Sequence, residues 1–190
     1  MLISKFDTTN IEQKIVGFES KYNIKLPNQY RQFMLRYNGG YTPETILKVG
    51  PRREENVSCF YGFGMGEEYG LDEHCWLMEW IRHGFLPIAD EFFGNEYVLG
   101  ITSRNYGKVY FFDHEEQMVE QVRNSFKDFI ASCKSEKIGR IASIREREET
   151  LIARGLAHNI TDALRQAWQE EIDFYGNMVQ EPVILDESEN

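Results

Sequence analysis

The sequence predicts an α+β fold: two N-terminal helices, a mainly antiparallel or mixed sheet, a closing helix and a C-terminal helical extension. Three observations carry this reading. A helix with both ends marked runs from Leu26-Pro27 to Asn38-Gly39-Gly40, short runs of β-branched and aromatic residues fill the middle of the chain, and apolar residues return at helical spacing after Val122. At 190 residues, with 42% hydrophobic and 27% charged content, the chain can bury one sizeable core.

Taken in order, Thr9 followed three residues later by Glu12 reads as a capping box that opens a first helix with Ile11, Ile15, Phe18 and Tyr22 on one face. Leu26-Pro27 separates it from the second. Pro27 suits a first helical turn, where its missing N–H would be unpaired anyway, and Tyr30, Phe33, Met34 and Tyr37 recur at i, i+3, i+4 and i+7. Asn38-Gly39-Gly40 supplies a left-handed stop. Glu44 to Val49 and Val57 to Phe63 read as strands around the charged turn Pro51 to Glu55. Gly62, Gly64, Gly66 and Gly70 loosen the chain before a short helix from Leu71 to Ile81. Phe85 to Ala89 opens the second half, and Tyr97–Ile101 with Val109–Phe112 make a hairpin across Asn105-Tyr106-Gly107. Val122, Phe126, Phe129, Ile130 and Cys133 then define one face of the closing helix. Past about Lys137 come a charged connector, Arg145 to Glu149, and a helix from Thr161 to Tyr175 carrying Leu164, Trp168, Ile172 and Tyr175 on one side. The expected division is a domain at 1–137, a helical extension at 138–185 packed on it, and a disordered acidic tail at 186–190.

The Leu26 to Gly40 stretch resembles the opening of the SUKH superfamily. The resemblance continues through Leu86-Pro87-Ile88-Ala89-Asp90 with Gly94-Asn95, Gly107-Lys108-Val109-Tyr110-Phe111 with Asp113-His114-Glu115, and Ser125-Phe126 with Phe129-Ile130, covering roughly Ile11 to Cys133. It implies a non-catalytic binding domain, commonly a bacterial immunity protein that neutralises a toxin. Residues after about Lys137 lie outside that pattern.

A net charge of −10 disfavours direct nucleic-acid binding, which draws its affinity from Lys and Arg on phosphates, and it also repels anionic membranes. No apolar run approaches the length of a membrane span, and the first residues show neither a basic leader nor an apolar signal core. Cys59, Cys75 and Cys133 are odd in number and lack C-x-x-C spacing, as expected of reduced thiols in a cytoplasmic protein.

Candidate chemistry is sparse, and the expectation is no enzyme, no cofactor and no metal. Asp113-His114-Glu115-Glu116 places an imidazole beside carboxylates, so a hydrolase using His114 with Glu115 or Asp90 is the third-ranked reading. The same residues also suit the end of a strand and the start of a turn. His74-Cys75 are adjacent, and neighbours on a helix point about 100° apart, which keeps them from meeting. Gly62-Phe63-Gly64-Met65-Gly66 lacks the Lys-Ser/Thr of a phosphate loop and is followed by Glu67-Glu68.

The segment Glu54 to Glu79 holds seven acids and no Lys or Arg, together with Phe60, Tyr61, Phe63, Tyr69, Trp76 and Trp80. Aromatic anchors ringed by acids suit an interface for a basic partner. The alternative is that the aromatics are core and the acids solvate a loop. On the interface reading, Glu67, Glu68, Tyr69, Asp72 and Glu73 form the partner-binding site, with Tyr69 the aromatic expected at the surface. The expected partner is a cognate toxin domain, basic and a nuclease, whose active surface the chain covers. A regulatory scaffold with a cellular partner is the second reading. Oligomeric state is not encoded legibly.

Overall fold

The computed structural model of the chain describes residues 1–176 and 178–186, so the expected disorder of the acidic tail falls, beyond Asp186, outside the described residues. The chain forms two compact units: Met1–Glu136 with the segment from Gln180 onward, and Lys137–Val179.

In the first unit, β1 (Leu2–Lys5) precedes the helices α1 (Ile11–Tyr22) and α2 (Asn28–Tyr37). Short strands β2 (Gly40–Tyr41), β3 (Thr45–Lys48), β4 (Glu54–Asn56) and β5 (Cys59–Phe60) come next, then the helical turns α3 (Gly66–Tyr69) and α4 (Leu77–Arg82). The strands β6 (Phe85–Asp90), β7 (Glu96–Gly100), β8 (Val109–Asp113) and β9 (Met118–Arg123) form a meander, followed by α5 (Phe126–Ser132) and β10 (Lys134–Ser135). The second unit holds α6 (Ile144–Ala153), a 3-10 turn at Ala157–Asn159 and α7 (Asp162–Tyr175), after which β11 (Glu181–Pro182) rejoins the first. An eight-stranded sheet in the order β11-β1-β2-β5-β6-β7-β8-β9 stands beside a three-stranded one, β10-β3-β4. Every pairing of these strands is antiparallel.

The core lies between α1, α2 and α5 and one face of the large sheet. Phe33 of α2 meets Phe60 of β5 at 5.0 Å and Phe126 of α5 at 5.2 Å, while Tyr97 of β7 meets Phe129 at 5.1 Å and Phe111 at 5.3 Å. All six rings are buried, and each contributes about 1.5–3 kcal/mol of burial. Glu19, buried near the end of α1, accepts the Leu26 backbone N–H at 2.9 Å and Lys25 Nζ at 3.2 Å, which sets the turn into α2.

The Asn38-Gly39-Gly40 stop does more than end α2. Asn38 adopts the left-handed conformation at φ 51°, and its amide side chain reaches across to the segment near Phe63. Gly39 has φ +76°, and a Cβ there would lie 2.4 Å from the Phe60 carbonyl oxygen. At Gly40 it would lie 2.3 Å from that of Ser4. The two glycines let the chain pass against both neighbouring strands, which no side chain permits.

Several expectations are corrected. The Thr9–Glu12 capping box is absent: Asn10 is the N-cap of α1, in the left-handed conformation, and the Thr9 hydroxyl donates instead to Asp7 Oδ1 at 2.8 Å. The helix expected over Leu71–Ile81 is confined to Leu77–Arg82, and the strand expected over Val57–Phe63 to Cys59–Phe60. Val122 belongs to β9, and α5 starts after Ser125, whose hydroxyl accepts the Asp128 N–H. The Arg145–Glu149 connector is helical, because Ser143 and Glu146 form a reciprocal capping box. The final helix matches its expected span, with Thr161 as its N-cap.

Candidate functional site

Residues Gly62 to Asp72 form a loop closed at its base. Gly62 N–H donates to the Tyr69 carbonyl at 2.9 Å and Leu71 N–H donates to the Gly62 carbonyl at 2.8 Å. Asn38 pins the loop to α2: its Oδ1 accepts the Phe63 N–H at 2.8 Å, and its Nδ2 donates to the carbonyls of Phe63 at 3.2 Å and Asp7 at 2.7 Å. Phe63 itself is buried against Phe18 at 5.2 Å. Asp72 Oδ1 accepts the Gly64 N–H at 3.1 Å.

The five residues expected to bind a partner divide on this loop. Glu67 and Glu68, on α3, and Glu73 are exposed. Asp72 is half-buried and holds the loop. Tyr69 is also half-buried rather than displayed: its ring packs edge-on against Tyr41 at 5.1 Å and tilted against Phe6 at 6.5 Å. Burial, then the neighbouring Glu68 carboxylate, pushes the Tyr69 hydroxyl well above its ordinary pKa. The most exposed aromatics lie further on, at Trp76, Phe92 and Phe93, with exposures of 64, 72 and 78%.

Trp76 opens onto a cleft of about 780 Å³ between the Trp76–Phe85 segment and the outer face of the sheet. Antiparallel register places Glu96 opposite both Asp90 and Phe112, and Phe112 opposite Val119, so these side chains share one face. Trp80 packs edge-on against Phe112 at 4.8 Å and Phe85 at 6.2 Å. Glu96 organises the wall. Its Oε2 accepts the Trp80 indole N–H at 2.8 Å, and its Oε1 accepts His74 Nε2 at 2.7 Å and the Tyr61 hydroxyl at 3.3 Å. His74 Nδ1 in turn accepts the Trp76 backbone N–H at 3.2 Å, which fixes the Nε2–H tautomer. One sheet carboxylate thus positions two tryptophans.

Two acids facing each other across a ladder repel unless each is solvated by donors. Asp90 receives the Ser58 hydroxyl and the Cys59 N–H, and burial, partly opposed by those bonds, still holds its carboxyl above the usual range. Burial and the Asp90 carboxylate likewise push the Cys59 thiol up.

Of the residues in the third-ranked, hydrolytic reading, His114 and Asp90 are held by hydrogen bonds. His114 Nδ1 bonds Asn95 Oδ1 at 2.8 Å, while Asp113 Oδ1 accepts the Glu115 and Glu116 backbone N–H groups at 3.0 Å each. His74 is largely buried on Glu96 while Cys75 is exposed, so the two do not meet. Among the described residues, no three His, Cys, Asp or Glu side chains converge as metal ligands, and no helix is long and apolar enough to cross a membrane. The sequence reading placed Trp76, Trp80 and Glu79 within the acidic, aromatic segment, but it did not foresee that Glu96, Phe112, His114 and Val119 complete the cleft. Only strand register brings those residues in.

Fold and cleft together define an α+β domain whose N-terminal helices cover one sheet face while the other carries an aromatic, acidic surface. The chain belongs to the SMI1/KNR4 family (SUKH-1), whose sequence model matches residues 11–132. That span runs from the first residue of α1 to the last of α5 and leaves β11 and the second unit outside the match. A comparison with curated proteins found no match.

Proposed function

We propose that the chain is a non-catalytic protein-binding module, and specifically an immunity protein that neutralises a cognate toxin by covering its active surface. The supporting observation is the display of acid: Glu67 and Glu68 project from a loop that Asn38 ties to the second helix and an Asp72–Gly64 bond braces from within, and Glu73 is exposed beside it. A preorganised acidic surface steers and registers a basic partner at little ordering cost. A nuclease is the partner of choice, because a surface that binds nucleic acid must be basic and can be blocked without chemistry. The three free cysteines fit action in the cytoplasm.

The test is copurification of the tagged full-length chain from its native host at low salt, followed by a nuclease assay of whatever is recovered. A near-equimolar basic toxin domain, inhibited on rebinding, is the expected result. Recovery of a cellular protein without toxic activity would replace immunity by a scaffold role.

A further inference from the structure

The cleft is aromatic and acidic, with His83 and His114 also in its lining. Its walls are Trp76, Trp80, Phe85 and Phe112, Glu96 lies among them, and no Lys or Arg lines it. The two segments that frame it, residues 73–96 and 112–119, carry five and three acids against the single cation Arg82. Indole faces attract positive charge through the ring quadrupole, and a carboxylate beside them adds an ion pair; an anion would meet repulsion from both.

We propose that this cleft receives an arginine side chain, with its flanking residues, from an extended basic segment of the protein partner. The inference rests on the binding role assigned above and adds a second contact surface to it. Arginine fits better than lysine because a flat, weakly hydrated guanidinium stacks on an indole while one of its N–H groups reaches a carboxylate. Glu96 has capacity for it. Three donors occupy its two oxygens, whereas an ionised carboxylate offers about four acceptor sites. Glu79 at the rim already pairs with Arg82 at 3.4 Å and His83 at 2.9 Å, so an incoming cation competes with a weak, exposed contact there. A volume of about 780 Å³ exceeds one side chain and leaves room for neighbouring residues.

The indole N–H resonances of Trp76, Trp80 and Trp168 provide the readout in the full-length chain, with Trp168, which lies in the second unit, as internal control. Titration with a capped peptide of alternating alanine and arginine should shift Trp76 and Trp80 saturably and leave Trp168 in place. The citrulline counterpart, equal in shape and uncharged, should bind about three- to thirtyfold more weakly. Trp76→Ala should abolish the response at Trp80. Equal affinity for the citrulline peptide would overturn the proposal in favour of an uncharged groove. A silent Trp76 and Trp80 at millimolar arginine peptide, or equal shifts at Trp168, would overturn it outright. If the cleft fails while reversal of the loop acids still abolishes partner capture, the binding role stands and only this second contact falls.

Discussion

Replacing Asn38 by Ala should cost about 3 kcal/mol in denaturant unfolding, because the buried Phe63 N–H and the Asp7 carbonyl lose their partner, the Phe63 carbonyl keeps only Lys14, and the left-handed backbone no longer suits the residue. Asn38→Gly separates two effects: it keeps the left-handed backbone easy yet removes the same bonds, so it should recover only a small part of that loss. Faster amide exchange at Phe63 in both variants would place the damage at the loop that carries Glu67 and Glu68. Tyr30 makes the opposite case. Its ring is fully buried beside Phe33 and Phe126, but its hydroxyl has no hydrogen-bond partner among the described residues, and burial drives its pKa far up. Tyr30→Phe should therefore be neutral or stabilise by up to about 1 kcal/mol, read as a raised unfolding midpoint. A clear loss would mean that the hydroxyl is satisfied after all. Asn38 was legible as a helix stop, since a left-handed Asn before Gly-Gly is a local signal. Its reach to Phe63 was not, because the two residues lie 25 positions apart and the chain between them had to fold first.

The second helix, whose ends are both coded locally, was read well, and the shortest strands, defined only by pairing, were not. The second helix carries Pro27 at its entry and Asn38-Gly39 at its exit, and it forms over Asn28–Tyr37. By contrast β2, β5, β10 and β11 are two-residue strands with no period to detect; they exist because neighbours such as β1 and β6 offer unpaired edges. Val122 was assigned to a helix because i, i+4 spacing to Phe126 is also met by a strand residue next to a helix, while the Ser125 cap between them marked the true boundary. Ser143 and Glu146 were an available capping signal for α6. Ser143→Ala should weaken that helix by about 1 kcal/mol, measurable as faster amide exchange over 144–153. Glu146 is held down to about 2, first by Arg140 and then by Ser143, and Glu171 is held low by Arg147. A carboxyl whose folded pKa lies below its unfolded one stabilises above the unfolded value, so helicity of the second unit should decline as pH falls from about 4.5 through about 2. Asp90 has the reverse sign: its raised folded pKa favours the fold in acid and disfavours it as pH rises through that value. Amide exchange measured separately in the two units should resolve these opposite trends.

At the scale of the molecule, charge and architecture point the same way. The chain carries −10 overall, and its exposed loop acids stand on a frame whose core includes Tyr30, Phe33, Phe126 and Phe129, all within the span the family model matches. The motif thus specifies the scaffold, while the surface that selects a partner is written in residues with no periodic or positional signature; this is why the fold was readable and the cleft was not. Binding through exposed acids should weaken with salt, since charges further apart than about 10 Å are largely screened at 0.1 M. The most direct measurement is capture of the partner at low and high salt by the native chain and by the triple variant Glu67→Lys, Glu68→Lys and Glu73→Lys, which spares Asp72 and its bond to Gly64. Strong, salt-sensitive capture by the native chain and at least a tenfold loss, about 1.4 kcal/mol, in the folded variant are expected. Undiminished capture by that variant at low salt would contradict binding through these acids.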